Sequence, residues 1–264
     1  LLPVGTNGFH GTAAQLDALS TSSLVRPTEN LIVKAQNLGY TVVYTEEQLY
    51  DLLELPELPT KVLGVFAPIH TFNDRSEEVL AANSLPLYLE TAPTLAEMLD
   101  VTQQLMEAHP NFDNGSIAIV EEEGTDNFGN NNNAAGVLEG VRRADAAIGV
   151  AMDFVERYEN TLIITAADSD AGGLQVRDPL GTGNVGNINN NPIDGSGDRN
   201  VPMDGQDGVA TAPFTSAPDA NGDQFNFAVA WAGLPDFSGS IVSKAHGLNA
   251  DKLPATLDNT KSMS

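Results

Sequence analysis

The chain has 264 residues, and its 36 acidic side chains outnumber its 12 Lys and Arg, which gives a formal charge of −24. This charge repels phosphate backbones and anionic lipids, so it excludes nucleic acid as a partner and argues against binding to an anionic membrane. It suits a halophilic type of protein that stays dissolved in salt, and we expect a secreted, extracellular or periplasmic location.

The length suits a single domain over residues 1–264. No apolar run reaches the roughly 18 residues of a membrane-spanning helix. Residues 1–8 lack the basic flank and the length of a signal peptide, so we expect neither a membrane span nor an export signal in this chain. The absence of cysteine removes disulfides and thiolate metal sites from consideration.

Helical and extended patterns alternate from residue 29 onward. Residues 30–38 predict a helix that ends at Gly39, and residues 41–44 predict a short strand. Thr45 is the predicted cap of a second helix. Residues 61–66, KVLGVF, form a continuous apolar run, which predicts a central strand that is covered on both faces.

The next elements continue the alternation. The patterns predict a helix over 94–109, a strand over 116–120, a long helix over 134–158 and a strand over 161–166. This order predicts an α/β fold with a mostly parallel central sheet and helices on both faces.

The rest of the chain is less regular. Residues 178–224, dense in Gly, Asn, Asp and Pro, predict an irregular surface insertion. Residues 225–231 predict a strand, residues 239–242 suggest one more, and residues 257–263 begin like a helix.

Two strand ends deliver carboxylates into loops. Residues 117–133 read IAIVEEEGTDNFGNNNN, and residues 161–173 read TLIITAADSDAGG. Ligands of such sheets gather at the carboxyl ends of strands, and acidic clusters there commonly hold a metal ion. Two other interpretations stay open: residues 121–123 as a solvated run of charge, and residues 130–133 as a helix start with Asn as the cap.

Several segments, taken in order, resemble the C-terminal half of alkaline phosphatases: NLIVKAQNLGYTVVYTEEQL, KVLGVFA, PTLAEMLDVTQQLM, IAIVEEEGTD, TLIITAAD and LDNT. The resemblance implies an α/β/α sandwich. For the family, it implies phosphomonoester hydrolysis through a phosphoserine, with two zinc ions and one magnesium. It also implies self-association as a dimer or larger assembly, and as a partner an N-terminal half that carries the nucleophile and lies outside this chain.

The resemblance places metal ligands on particular residues. Glu121 matches the magnesium carboxylate, and Asp126 matches a zinc carboxylate. Asn130 stands where the family has a zinc-binding His. Asp168 and Ser169 stand where the family has an Asp-His pair for the second zinc.

A third family His is expected near Gly222, but the sequence has no histidine between His109 and His246. Zinc at a catalytic site takes nitrogen or thiolate ligands, whereas calcium and magnesium accept oxygen ligands. We therefore expect the metal ligands Glu121, Asp126, Asp168 and Asn130 to hold calcium or magnesium, and we do not expect zinc.

The expected function follows from these replacements. We predict an alkaline phosphatase-like protein that is inactive as this chain and has no catalytic residue, because no histidine lies near Ser169 in sequence to act as a base. The alternatives are a secreted acidic structural or assembly protein that reuses the fold and is stabilised by calcium, and a working phosphatase with altered metals that the N-terminal half completes.

Other candidate residues have simpler interpretations. Asp219, Asn221 and Asp223 have the oxygen spacing of a calcium loop, but Ala230 replaces the twelfth-position Glu, which favours a polar turn. Trp231 is expected in the core. His10, His70 and His109 show no partner spacing along the sequence and are expected in loops or on the surface. His246 is expected in a loop before Gly247.

Overall fold

The computed structural model describes residues 30–177, 203–205, 214–237 and 241–253. The helices in these ranges are α1 (Leu31–Asn37), α2 (Glu46–Asp51), α3 (Glu77–Asn83), α4 (Leu95–Ala108), α5 (Gly124–Asn130) and α6 (Ala134–Arg157). The strands are β1 (Thr41–Val43), β2 (Val62–Gly64), β3 (Leu162–Thr165), β4 (Asp170–Ala171), β5 (Gln175–Arg177), β6 (Met203–Asp204), β7 (Phe214–Thr215), β8 (Asn226–Ala230), β9 (Asp236–Phe237) and β10 (Lys244–Gly247).

Side-chain caps explain why the predicted helices begin where they do. Asn30 caps α1 by accepting hydrogen bonds from the N–H groups of Ile32 and Val33. Thr45 caps α2, and Thr94 forms a reciprocal capping box with Glu97 at the start of α4. These helices are confirmed within a residue or two of their predicted bounds.

The long helix α6 is also confirmed, and it packs along α4. Leu95 and Leu99 of α4 meet Ala147 of α6 in a buried apolar cluster. A second cluster joins Val43 of β1 to Val101 of α4. Among the described helices, none is both long and apolar enough to cross a membrane.

The strand pairing differs from the predicted parallel sheet. In the described ranges only β1 and β2 pair in parallel, while β3 pairs with β10, β4 with β9, and β8 with β5, β6 and β7, all antiparallel. A strand does form within 61–66, as β2, but among the described residues it is not a central strand, because its sheet contains only β1 and β2. An apolar run of this kind also forms when one face packs on a helix, as Val62 and Phe66 do on the cluster around Val101.

The predicted strand over 116–120 is wrong. The segment has no strand assignment, and Ile117 and Ile119 are 88% and 92% exposed. Its alternating pattern gives strand propensity, but a strand forms only where a neighbouring strand offers its backbone groups.

Three further predictions fall partly or wholly outside the described residues. Ile241 and Val242 are not in a strand, and residues 239–240 and 257–263 are not described. Within 178–224, the described parts include β6 and β7, which both pair with β8.

Candidate metal centre

The acidic segment after residue 120 folds locally into α5, where the sequence predicted a loop. This helix places Asp126 and Asn130, which are four residues apart, on one face. The Asn130 Nδ2 lies 3.4 Å from both carboxylate oxygens of Asp126. Local pattern did not reveal this helix because it contains two glycines and two asparagines in seven residues.

The loop after β3 meets this helix face. The Ser169 hydroxyl donates a hydrogen bond of 3.3 Å to the Asp126 Oδ1. Asp168 lies close enough for its charge to act on the carboxyl of Asp126. The structure therefore brings Asp126, Asn130 and the Asp168–Ser169 pair together.

Asp236 on β9 is a member of this cluster that the sequence did not reveal. Asn130 Nδ2 donates a hydrogen bond of 2.9 Å to Asp236 Oδ1, across 106 positions of sequence. The surrounding sequence, LPDF, carries no ligand spacing, so only the fold identifies it. Burial, followed by the negative charge of Asp236, raises the pKa of Asp126 above its ordinary value, while the Ser169 hydrogen bond opposes this rise.

Two glycines allow the helix and the loop to approach so closely. A Cβ on Gly172, whose φ is +68°, would overlap the carbonyl oxygen of Gly129 in α5. A Cβ on Gly129 would lie 2.8 Å from the carbonyl oxygen of Ala171. Backbone-to-backbone contact between α5 and β4 thus fixes the distance between the carboxylates on the two sides.

Glu121 lies in a different environment. With Tyr88, Glu122 and Arg143 it lines a cleft of about 160 Å³, and Asp126 is not among the residues that line this cleft. Glu122 is the half-buried member: it accepts a hydrogen bond of 2.7 Å from the Tyr88 hydroxyl, and burial raises the pKa of Glu122. The guanidinium of Arg143 lies 3.6 Å above the Tyr88 ring. At Glu122, therefore, the acidic triplet is not simply a solvated run of charge.

The predicted ligand set does not form a carboxylate cage. Across the described ranges, no three His, Asp or Glu side chains are arranged to hold a metal ion. The cluster instead consists of the two carboxylates Asp126 and Asp236, bridged by the amide of Asn130. Asn130 Oδ1 is buried and accepts no hydrogen bond from the residues described.

The asparagine run serves the next helix as well. Asn133 is the N-cap of α6, and its side chain accepts a hydrogen bond of 2.7 Å from the N–H of Gly136. The helix-start interpretation is therefore confirmed for Asn133, while Asn130 belongs to the preceding helix.

Of the described histidines, only His246 departs from its prediction. His70 lies in a loop, as predicted, where it stacks on Phe72 with ring centroids 4.8 Å apart and its Nε2 lies 3.4 Å from Asn127 Nδ2. His246 lies in strand β10 opposite Ile163, because that strand closes the sheet with β3. His109 is partly buried and accepts a hydrogen bond from the backbone N–H of Asn111, and His10 lies outside the described residues.

Trp231 and the loop at Asp219 lie outside this cluster. Trp231 is buried, as predicted. Asp219 is exposed, and its Oδ1 accepts hydrogen bonds from the N–H groups of Asn221 and Asp223. These bonds form a polar turn that joins β7 to β8, and the calcium-loop interpretation stays a prediction.

A pH dependence follows from Glu139 on α6. Arg142 and then Arg143 hydrogen-bond its carboxylate and lower its pKa from 4.5 to about 2. A lowered folded-state pKa stabilises the fold above the unfolded value, and this contribution is lost as pH falls from 4.5 to about 2. The Tm difference between wild type and Glu139→Gln should be full above pH 5 and should shrink to nothing near pH 2.

The same measurement on Glu159→Gln, which changes an exposed glutamate, provides the control. Its Tm difference from wild type should be small at every pH. A Glu139→Gln difference that persists at pH 2 would contradict the assigned ion pairs.

One comparison with known proteins decides the family. The family profile for alkaline phosphatase matches residues 9–198, which is more than half of the chain. The chain belongs to the alkaline phosphatase family. The resemblance that the sequence motifs suggested is confirmed.

The relatives of this alkaline phosphatase family member are longer than it is. Alkaline phosphatase 3 of Bacillus subtilis is 24% identical over 170 residues, which cover 64% of this chain and 32% of that protein. The chain therefore spans about a third of the length of this relative. The whole enzyme's activity does not transfer to the chain by this match alone.

Solved structures also cover this chain with only part of their own length. Thermus thermophilus alkaline phosphatase is 28% identical over 53% of this chain and 26% of its own length, with a TM-score of 0.42. The enzyme of the Antarctic bacterium TAB5 is 16% identical over 85% of this chain and 50% of its own length, with a TM-score of 0.49. A TAB5 variant is described with Mg bound.

Proposed function

We propose that this chain is a phosphatase-fold protein whose centre binds calcium or magnesium and does not hydrolyse phosphomonoesters on its own. The observation that carries the proposal is the donor set around Asp126. Its neighbours are the side chains of Asn130, Ser169 and Asp236. Every one of these offers oxygen or amide nitrogen, and none offers an imidazole.

The donor chemistry decides which metal fits. A catalytic zinc site is held at about 2.0–2.3 Å by imidazole, thiolate and carboxylate groups, and an amide or a hydroxyl replaces an imidazole poorly. Calcium and magnesium take carboxylate, amide and water oxygens. The oxygen donors of the cluster are therefore of the type that calcium and magnesium bind. The buried Asn130 Oδ1 accepts no hydrogen bond from the residues described, so this oxygen could contact an ion.

Asp126, Asp236 and the Asn130 amide would hold the ion, and Asp168 lies close enough for its charge to act on Asp126. Glu121 lines a separate cleft and is not part of this set. A bound hard cation would neutralise these carboxylates and supply an electrophilic contact for a phosphate oxygen. The residues themselves orient one another: Asn130 bridges two carboxylates, and Ser169 donates to Asp126.

No group among the described residues of the centre is placed to start hydrolysis. The Ser169 hydroxyl donates its hydrogen bond to a carboxylate, whereas an activated serine needs a base that removes its proton. In the described ranges, no histidine is seen in contact with Ser169. We therefore assign no nucleophile among the described residues of the centre.

The test is an assay with p-nitrophenyl phosphate as the chromogenic monoester, run with zinc and magnesium added. We expect no turnover above the buffer blank. Turnover that a chelator abolishes, and that Asp126→Asn removes while Glu159→Gln retains it, would overturn the proposal.

A further inference from the structure

Asp204 is a buried carboxylate that no part of the proposed function uses. It lies on β6 and is 1% exposed. Its Oδ2 accepts two hydrogen bonds, one of 3.0 Å from the indole Nε1 of Trp231 and one of 2.9 Å from the backbone N–H of Ala134. One oxygen atom thus joins three separate parts of the chain.

The Ala134 contact lies at the first turn of α6, where helix N–H groups have no partner within the helix. Asp204 takes the N–H of Ala134, Glu77 takes that of Ala135 at 2.8 Å, and Asn133 takes that of Gly136. Negative charge at a helix start is favourable, which offsets part of the cost of burying the carboxylate. Burial still raises the pKa of Asp204.

The Trp231 ring packs against Gly172, which in turn contacts the end of α5 at the candidate centre. A Cβ on Gly172 would lie 2.9 Å from Cε3 of the Trp231 ring and would overlap the Gly129 carbonyl oxygen. The indole ring, the Gly172 backbone and the end of α5 are therefore stacked in direct contact. Asn130, which bridges the two carboxylates, is the residue after Gly129.

The hydrogen bond to Ala134 also acts on the end of α5, through the residues that connect α5 to α6. Residues 131–133 connect α5 to α6, and they fold back on α5: the N–H of Asn133 donates 2.8 Å to Phe128, and that of Asn132 donates 2.9 Å to Gly129. Fixing Ala134 therefore fixes the end of α5 from the α6 side, while fixing Trp231 fixes it from the β4 side.

We infer that Asp204 is a positioning residue that holds the end of α5 between Trp231 and the start of α6, and so sets the distance between Asn130 and Asp236. It acts through Trp231 and Ala134, which lie outside the centre. The inference goes beyond the proposed function, since it holds whether or not the centre binds a cation.

The test compares Asp204→Leu with Asp204→Asn. Because both donors share one oxygen, the amide oxygen introduced by Asp204→Asn can accept both hydrogen bonds, whereas the side chain introduced by Asp204→Leu accepts neither. Trp231 is the sole tryptophan, so its fluorescence reports this contact directly. We expect Asp204→Leu to shift the native emission, to speed amide hydrogen exchange at residues 128–133, and to lower Tm by roughly 5–10 °C. Asp204→Asn should have native emission, exchange at residues 128–133 and Tm close to those of the wild type.

Val101→Ala is the matched control, because Val101 is buried in a separate cluster around α4. It should lower Tm while leaving the native Trp231 emission and the exchange at residues 128–133 unchanged. Asp204→Leu behaving like Val101→Ala would overturn the inference and leave Asp204 a general stabiliser.

Trp231→Phe covers the case in which Asp204→Leu does not fold. It keeps an aromatic ring at this position and removes the five-membered part of the indole together with its N–H donor. Faster exchange at residues 128–133 in Trp231→Phe supports the inference, and unchanged exchange there contradicts it. Neither result depends on a monoester assay or on an added cation, so the inference and the proposed function fail independently.

Discussion

Gly172→Ala is expected to destabilise the protein by about 2–5 kcal/mol. The first cause is the backbone: φ is +68°, a left-handed conformation that disfavours a Cβ by about 1–2 kcal/mol. The second is space, since the methyl group would overlap the Gly129 carbonyl oxygen and press on Trp231. Such overpacking typically adds about 1–3 kcal/mol. Urea unfolding followed by Trp231 fluorescence measures the loss.

Gly222→Ala separates the two causes. Its φ is +88°, but no atom lies within 4 Å of the added Cβ. We expect only the backbone part of the loss, about 1–2 kcal/mol. Equal losses in the two variants would mean that α5 and β4 are not in close contact, and the geometry assigned to the centre would be wrong.

The double variant Asn130→His with Ser169→His is expected to create a zinc site. The helix α5 places residue 130 on the same face as Asp126, and Ser169 already contacts Asp126. The variant would then offer two imidazoles beside the carboxylates Asp126 and Asp236, which is the mixed nitrogen and oxygen set that zinc takes. We expect zinc affinity to rise by about 100-fold or more over wild type, which is about 2.8 kcal/mol.

Isothermal titration with zinc measures this gain. The control introduces two histidines at exposed positions that are far apart in sequence, Asn37→His with Ser116→His. The zinc affinity of this control should equal that of the wild type. A double variant at the centre that binds zinc no better than this control would show that the side chains do not converge as described.

The helices were predictable because their signals are local. Asn30, Thr45 and Thr94 are N-cap residues, and the side chain of each accepts a hydrogen bond from a backbone N–H two or three residues later. The apolar stripe of α6 likewise depends only on spacing along the chain. These elements form in the structure close to where the sequence places them.

The sheets were not predictable because pairing depends on distant residues. The alternation over 116–120 has the same appearance as a strand, yet Ile117 and Ile119 remain exposed. The strand β3 was predicted correctly, but its antiparallel partner β10 lies some 80 positions later. Nothing in the local pattern of either segment specifies that pairing.

The centre was partly predictable. The spacing of Asp126 and Asn130, taken with the family resemblance, located one side of it. Asp236 and Asp204 were missed because a single acidic residue in a short strand carries no signal of its own, and its contacts arise only when β9 and β6 pair with other strands.

Calorimetric titration of the chelator-treated wild-type protein, first with calcium and magnesium and then with zinc, tests the oxygen-donor centre most directly. The account predicts binding of calcium or magnesium that Asp126→Asn and Asp236→Asn each weaken and that the exposed control Glu159→Gln leaves unchanged. It predicts no comparable zinc binding. Zinc bound more tightly than calcium and magnesium, or no heat of binding from either hard cation, would contradict it.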